Sequence, residues 1–158
     1  MKNARGYTLV ELMVTVGLFS VIMLGVYGTL LTGDVVYTKD SAMLDMESQC
    51  RNAVDRIVRE VRQASSQTIT ADFNATTNDK ILFTIPTSIG IQYYLNGTNL
   101  VRFVAGAAGA GKTIATNVDL LKFTLTGSLL TIQVRASRTL YGQAIAYPLV
   151  EKVRLRNE

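Results

Sequence analysis

The N-terminal part of the chain carries one long apolar stretch, which predicts a helix of membrane length. From Leu12 to Gly33 there are 22 consecutive residues without a charge, and the first charge after them is Asp34. At about 1.5 Å per residue, such a helix spans roughly the 30 Å hydrocarbon core of a bilayer. The flank before it contains Lys2 and Arg5, and a basic flank stays on the cytoplasmic side. The pattern therefore predicts one spanning helix, with the rest of the chain carried across the membrane.

After this stretch the apolar positions recur at a helical period. Between residues 41 and 64 they follow the spacing i, i+3, i+4, i+7, which predicts an amphipathic helix with one buried stripe. The stripe consists of Val54, Ile57, Val58 and Val61, extended toward the N-terminus by Met43, Met46 and Cys50. Cys50 is therefore expected to be a buried apolar residue and not a reactive thiol. The opposite face carries charge pairs four residues apart, which we interpret as a solvated face without chemistry. These pairs are Glu47–Arg51, Arg51–Asp55, Asp55–Arg59 and Arg56–Glu60.

From Thr68 onward, short runs rich in β-branched and aromatic residues predict antiparallel strands. The predicted strands are Ile81–Ile85, Ile89–Leu95, Leu100–Val104, Leu120–Thr126, Leu129–Ala136 and, as a last strand, Val150–Leu155. Asn96–Gly97 and Gly127–Ser128 lie between such runs and predict tight hairpin turns. The polar segments Ala71–Asp79 and Arg138–Ala146 are expected to be loops. The sequence thus predicts an α+β fold, in which the second half of a long N-terminal helix packs on an antiparallel sheet.

The composition of the chain argues against several classes of function. The net charge is +4, but the basic residues are spread along the chain and several have acidic neighbours at helical spacing, so we expect no nucleic-acid partner. The chain has no histidine, and Cys50 is its single cysteine. These counts exclude an intrachain disulfide, a Cys/His zinc site and a Ser-His or Cys-His nucleophile. No pair of carboxylates stands out for acid–base work, so we expect no enzyme active site, no metal and no cofactor.

The segment RGYTLVELMV, Arg5–Val14, resembles the processing site of type IV pilins and type II secretion pseudopilins. Precursors in that superfamily have a short basic leader ending in Gly, then an aromatic residue, usually Phe, and then Thr-Leu-x-Glu opening an apolar helix. The resemblance implies that prepilin peptidase cleaves between Gly6 and Tyr7 and N-methylates Tyr7. It also implies that Glu11, a charge at the rim of an otherwise uncharged helix, pairs with the N-terminal amine of a neighbouring subunit during filament assembly.

The same resemblance implies a pilin-like organisation in four parts. These are a leader at 1–6, a transmembrane and filament-core helix at 7–33, an amphipathic continuation at 34–66 and an antiparallel β domain at 67–158. The later segments CRNAVDRIVREVRQA, YYLNGTNLVR, TNVDLLKFTLT and VEKVRLRN are most similar to minor pilins and J-type minor pseudopilins. The implied partners are prepilin peptidase, other pilin or pseudopilin subunits and an inner-membrane assembly platform. The implied location is the bacterial inner membrane, with the C-terminal domain outside the cytoplasm, and afterwards a pilus or pseudopilus.

Two other functions fit parts of the sequence. Gly106–Thr113, GAAGAGKT, matches the phosphate-binding pattern G-x-x-x-x-G-K-[ST], in which Lys112 contacts phosphates and Thr113 binds Mg²⁺. Such a loop opens a helix, whereas the following TIATNV is strand-like, and fewer than 100 residues follow the anchor helix. We therefore expect an Ala/Gly hairpin loop there.

The other alternative is a generic single-pass anchored module that forms no filament. Asn74 and Asn96 match the N-glycosylation pattern, which nothing else in the sequence supports.

Overall fold

The structure, a computed structural model, describes residues 6–64, 69–72, 80–106, 109 and 111–155. The chain divides into two compact units, Met1–Ser41 and Ala42–Glu158. The helix α1 (Leu9–Val61) contributes residues to both units, and all the strands follow it in the second unit. The apolar stretch and the strands therefore belong to different units.

In the first unit, α1 exposes its apolar side chains. Every described residue up to Asp34 is exposed. Within the described part of the chain, α1 is the one helix that is long and apolar enough to cross a membrane. Its hydroxyl groups are satisfied within the helix: Thr15, Ser20 and Thr32 each donate to the carbonyl oxygen four residues earlier. A helix whose polar side chains bond to its own backbone enters an apolar environment at low cost. The long apolar helix that the sequence predicts is confirmed.

In the second unit, α1 buries one stripe of small and branched side chains. The stripe consists of Ala42, Met46, Cys50, Ala53, Val54, Ile57, Val58 and Val61. The helical spacing predicted for the second half of α1 is therefore confirmed, and Cys50 is fully buried. The prediction is wrong for Met43, which is 38% exposed, because the buried stripe continues from Met46 to Ala42, four residues earlier, and passes beside Met43.

Two antiparallel sheets make up the rest of the second unit. The first contains, in spatial order, β1 (Thr70–Asp72), β2 (Lys80–Ile85), β3 (Ser88–Asn96), β4 (Asn99–Val104) and β5 (Lys112–Ala115). The second contains β6 (Val118–Thr126), β7 (Leu129–Leu140) and β8 (Gln143–Arg154). Strands adjacent in sequence are adjacent in space, so each sheet is a meander. All six predicted strands are confirmed, β1 is additional, and β5 lies at the start of the segment TIATNV, which the sequence marks as strand-like.

Two-residue turns set the register of two hairpins. Gly97 and Thr98 connect β3 to β4, and Gly127 and Ser128 connect β6 to β7. In each turn the glycine has a positive φ, 62° and 59°, and the residue after it does not, as in a type II′ turn. Both predicted hairpins are confirmed, although the first turn is centred one residue later than Asn96–Gly97.

The segment Arg138–Ala146, predicted to be a loop, is instead the far end of a long hairpin. β7 and β8 pair continuously as far as Leu140 and Gln143. The turn consists of Tyr141 and Gly142 alone, and their φ values of 51° and 75° match a type I′ turn. β6 does not pair with this end of β7, so the hairpin continues there as a two-stranded ribbon that is mostly exposed. Within the ribbon only Ile145 packs against the core, partly buried, so the sequence there carries too few apolar residues for their alternation to predict strands.

The other predicted loop, Ala71–Asp79, is wrong at its first two residues. Ala71 and Asp72 belong to β1, where they pair with Ile81 and Lys80. Residues 73–79 lie outside the described part of the chain.

One core unites α1 and both sheets within the second unit. Its largest fully buried side chains are Tyr93, Phe83, Phe123, Ile57, Ile81, Ile91, Leu100, Leu121, Leu130 and Ile132. Tyr93 and Phe83, from neighbouring strands, stack with ring centroids 6.1 Å apart. The predicted α+β fold, with the second half of the long helix packed on antiparallel strands, is confirmed.

Candidate functional site

A short non-helical segment, Gly6–Thr8, precedes α1. Tyr7 is 85% exposed. Apart from its neighbours in the chain, no atom of the described residues lies within 4 Å of the position that a Cβ on Gly6 would occupy. The Gly6–Tyr7 peptide bond, which the resemblance selects for cleavage, therefore lies in an open stretch of chain, as accessible proteolytic sites do.

Thr8 caps the N-terminus of α1. The backbone N–H of Glu11 donates to Thr8 Oγ1 at 3.3 Å, and the N–H of Leu12 donates to the Thr8 carbonyl oxygen at 3.2 Å. Thr-x-x-Glu is the capping-box pattern, and a carboxylate in the first turn also interacts favourably with the helix dipole. Glu11 thus has a local role at the start of α1, a role that was not predicted although the Thr-x-x-Glu pattern is present in the sequence. A test of any role in assembly has to preserve this cap.

Beyond Glu11, α1 presents an uncovered apolar surface in the first unit. The large apolar side chains from Leu9 to Leu31 are 48–76% exposed. A helix that is apolar on all sides is stable when lipid or other helices surround it. The candidate site is therefore an accessible peptide bond, a capped helix start with one carboxylate, and a helix that needs an apolar environment.

Residues 1–27 match the family model of the prokaryotic N-terminal methylation motif. The chain carries the type IV pilin and pseudopilin signal. The methylation motif includes Gly6, Tyr7 and Glu11 and extends into the uncharged part of α1, so the resemblance seen in the sequence is confirmed for this segment. The match ends at Tyr27 and therefore concerns the signal and not the strands. No curated protein and no solved structure matches the chain.

The phosphate-binding pattern lies outside the methylation motif and has unsuitable surroundings. Lys112 and Thr113 lie in β5, which pairs antiparallel to β4. No helix occurs in residues 111–155, whereas a phosphate-binding loop presents its ligand to a helix N-terminus. The strand-like character predicted for TIATNV is confirmed for its first three residues, which lie in β5, and for Val118, which begins β6. Across the ranges that the structure describes, no group of three His, Cys, Asp or Glu side chains could hold a metal ion.

Also outside the methylation motif, a polar cluster centres on Glu60, near the end of α1. Both carboxylate oxygens of Glu60 accept hydrogen bonds from Arg102 Nε, each at 3.0 Å. The Tyr93 hydroxyl donates to Glu60 Oε2 at 2.8 Å, and Arg56 Nε donates to Oε1 at 3.4 Å. The side chains of Glu60 and Arg102 are only 15% and 18% exposed. The cluster therefore ties the end of α1 to β3 and β4 in a partly desolvated environment.

The interpretation of the charged helix face as solvated is correct at Glu47 and wrong at Glu60. Glu47 and Arg51 form an exposed pair at 2.8 Å. Glu60 instead turns toward the sheet, where Arg102 stands opposite Tyr93 in the strand register, on the face that packs against the helix. A cation at an inward-facing strand position requires an anionic partner. The alternation of inward and outward positions along β4 places Arg102 inward, and this was the signal in the sequence that could have revealed the ion pair.

The raised pKa of Tyr93 makes the stability of the second unit depend on pH in the alkaline range. Burial, followed by the hydrogen bond to the Glu60 carboxylate, raises the pKa of Tyr93 above its ordinary value of 10.0. The unfolded chain therefore loses this proton at lower pH than the folded chain. The resulting stabilisation is present below the ordinary pKa and declines as the pH rises above it.

We expect the free energy of unfolding to fall progressively as the pH rises above about 10, the ordinary pKa of tyrosine, and Tyr93→Phe to remove the part of this fall that the hydroxyl causes. Urea unfolding of both full chains in detergent measures the difference. The thiol of Cys50 also has a raised pKa, through burial, but both chains share it, so the comparison isolates Tyr93. Identical pH dependence in the two chains would contradict this role.

Proposed function

We propose that the chain is a structural subunit, a minor pilin or pseudopilin, of a type IV pilus or a type II secretion system. The observation that carries this proposal is a methylation motif at residues 1–27 that leads directly into a helix with an uncovered apolar surface. Proteins with this signal are built into filaments and are not catalysts. The subunit therefore acts through the surfaces that it offers to its neighbours.

Processing comes first in this proposal. Prepilin peptidase of the bacterial inner membrane cleaves between Gly6 and Tyr7 and methylates the new amine of Tyr7. Cleavage removes the basic leader with Lys2 and Arg5, which holds the precursor's N-terminus at the cytoplasmic face. The open conformation of Gly6–Thr8 supports this step, because the bond can enter a protease site without unfolding α1.

Assembly then exchanges lipid for other helices. The uncharged part of α1 spans the inner membrane, with the β domain outside the cytoplasm, until an assembly platform transfers the subunit into the filament. Glu11 lies four residues after the new amine of Tyr7. A carboxylate in an apolar surrounding is costly unless it is paired, and the amine of a neighbouring subunit relieves that cost. This pairing sets the register between adjacent helices.

Replacing Glu11 with Gln tests the pairing while preserving the helix cap. Gln satisfies the capping-box pattern as Glu does, but it carries no charge. We expect Glu11→Gln to insert and to be processed normally, and the fraction of the chain in sheared filaments to fall roughly tenfold or more, because the neighbour's amine loses its partner.

The matched control is Thr8→Ala, which weakens the cap by about 1 kcal/mol and keeps the charge of Glu11. Filament incorporation close to that of the unaltered chain is expected for this variant. If Glu11→Gln assembles as well as Thr8→Ala, the pairing is refuted and the generic anchored module becomes the better description.

A further inference from the structure

The second sheet, β6–β8, has a basic outer face. Along β6 and β8 the buried residues alternate with Lys122, Lys152 and Arg154, which therefore project from the face opposite the core. Lys122 stands opposite Gln133 in β7, and Lys152 stands opposite Thr131. From strand spacing, the two lysine positions lie about 12 Å apart, diagonally across β7. Three cations thus share one sheet face with the hydroxyl group of Thr131, the amide group of Gln133 and the exposed side chain of Val150.

This charge is not neutralised within the described residues. No ion pair there involves Lys122, Lys152 or Arg154. Arg135, on the same face, is already paired with Asp119 at 2.9 Å. Like charges gathered on one sheet face repel each other, so an acidic partner placed over them is favoured.

The chain itself carries a complementary acidic segment. Between residues 34 and 47, α1 has four carboxylates and one lysine, a net charge of −3. Asp34 and Asp40 are exposed. When two different, complementary surfaces of one chain meet on neighbouring copies, the contact is head-to-tail, and a head-to-tail contact builds a ring or an open filament.

We propose that the outer face of β6–β8 receives the acidic α1 segment around Asp34 and Asp40 of a second copy of this chain. The inference rests on the proposed function, since it requires copies assembled side by side. A protein partner fits better than a nucleic acid, because the face offers three available cations and no aromatic side chain on which bases could stack.

Chemical cross-linking of engineered cysteines on two differently tagged copies of the chain tests the contact. One full-length copy carries Thr131→Cys, between the two lysines, and the other carries Tyr37→Cys, between the two aspartates. Because each copy carries one engineered cysteine, a bismaleimide can join two of them only between different copies. The native Cys50 is buried and therefore does not react with the reagent in the folded chain. We expect a cross-linked dimer in assembling cells, and a lower yield in purified filaments at high salt, because salt screens exposed charges.

Charge reversal supplies the decisive comparison. Lys122→Glu/Lys152→Glu in the first copy, or Asp34→Lys/Asp40→Lys in the second, is expected to reduce the yield roughly tenfold, and the two reversals together to restore it. Asp34, Asp40 and Lys152 are exposed, and Lys122 is partly exposed on the face opposite the core, so these substitutions are expected to change stability little and loss of folding does not mimic the result. Unchanged yields after single reversal, or no restoration after double reversal, would overturn the proposal.

A second cross-link separates this inference from the proposed function. Leu18→Cys, on the uncovered apolar surface of α1, reports helix–helix contact between copies. Absence of the Thr131–Tyr37 cross-link overturns the sheet contact, with or without a Leu18 cross-link, whereas absence of the chain from sheared filaments overturns the proposed function. If purified protein instead retains duplex DNA through Lys122 and Lys152, with no cross-link between copies, a nucleic acid is the occupant and the proposal is wrong.

Discussion

Replacing Glu60 with Ala is expected to lower the free energy of unfolding of the second unit by about 3 kcal/mol. Removal of the carboxylate leaves Arg102 charged, 18% exposed and without its ion-pair partner, and leaves the buried Tyr93 hydroxyl without its acceptor. Breaking one side of a desolvated pair costs far more than losing a surface pair, because the remaining charge still has to be solvated. Since the cluster joins α1 to β3 and β4, its loss weakens the attachment of the helix to the sheet.

Urea unfolding of the detergent-solubilised full chain measures this change, with pulse labelling of Cys50 as the probe. Cys50 is the single cysteine and is fully buried, so its labelling reports opening of the core. Glu47→Ala is the matched control: it removes an i, i+4 partner from Arg51, whose side chain is 60% exposed, and is expected to change stability by less than about 0.5 kcal/mol. Similar small effects of both substitutions would show that Glu60 is no more than a surface charge.

Replacing Gly6 with Val is expected to block maturation, so that the precursor accumulates in the membrane. Valine places a branched side chain directly beside the bond that we propose is cleaved, where a protease site fitted to glycine has no room for it. The surrounding chain offers open space at Gly6, so the substitution does not disturb α1 itself. We expect the mature fraction, measured by gel mobility or intact mass, to fall more than roughly tenfold.

Gly17→Ala is the control for this experiment. Gly17 also has open space around it and lies within the methylation motif, but it is inside α1, about two turns after the helix begins at Leu9 and away from the proposed cleavage point. Alanine favours the helix there, so processing at the normal level is expected. Efficient maturation of Gly6→Val would place the cleaved bond elsewhere.

The elements with a buried face could be predicted from the sequence. The stripe from Val54 to Val61 repeats with the helix period, and it is the stripe that the core covers. The six strands with buried alternation were likewise legible, as were the glycine turns at Gly97 and Gly127. In each case the local pattern and the tertiary packing require the same residues, which is why reasoning from periodicity succeeds there.

The features that were not predicted from the sequence are those in which the local pattern and the tertiary packing do not depend on the same residues. The ribbon that ends at Tyr141 and Gly142 is held by backbone hydrogen bonds with little burial, so no alternation marks it. Glu60 looks like any other charge on a helix face until β4 brings Arg102 to it across 42 residues of sequence. Contacts between distant segments depend on how strands pair, and helix spacing alone carries no information about them. The cap made by Thr8, in contrast, could have been predicted from the sequence, because the Thr-x-x-Glu pattern that produces it is local.

The mass of the N-terminal peptide of the mature protein tests the central claim most directly. The protein is isolated from membranes and filaments of cells that contain active prepilin peptidase. We expect the peptide to begin at Tyr7 with a methyl group on its amine, and peptides that contain Met1–Gly6 to be absent from the filament fraction. A mature chain in filaments that still begins at Met1, or that begins within α1, would contradict the account.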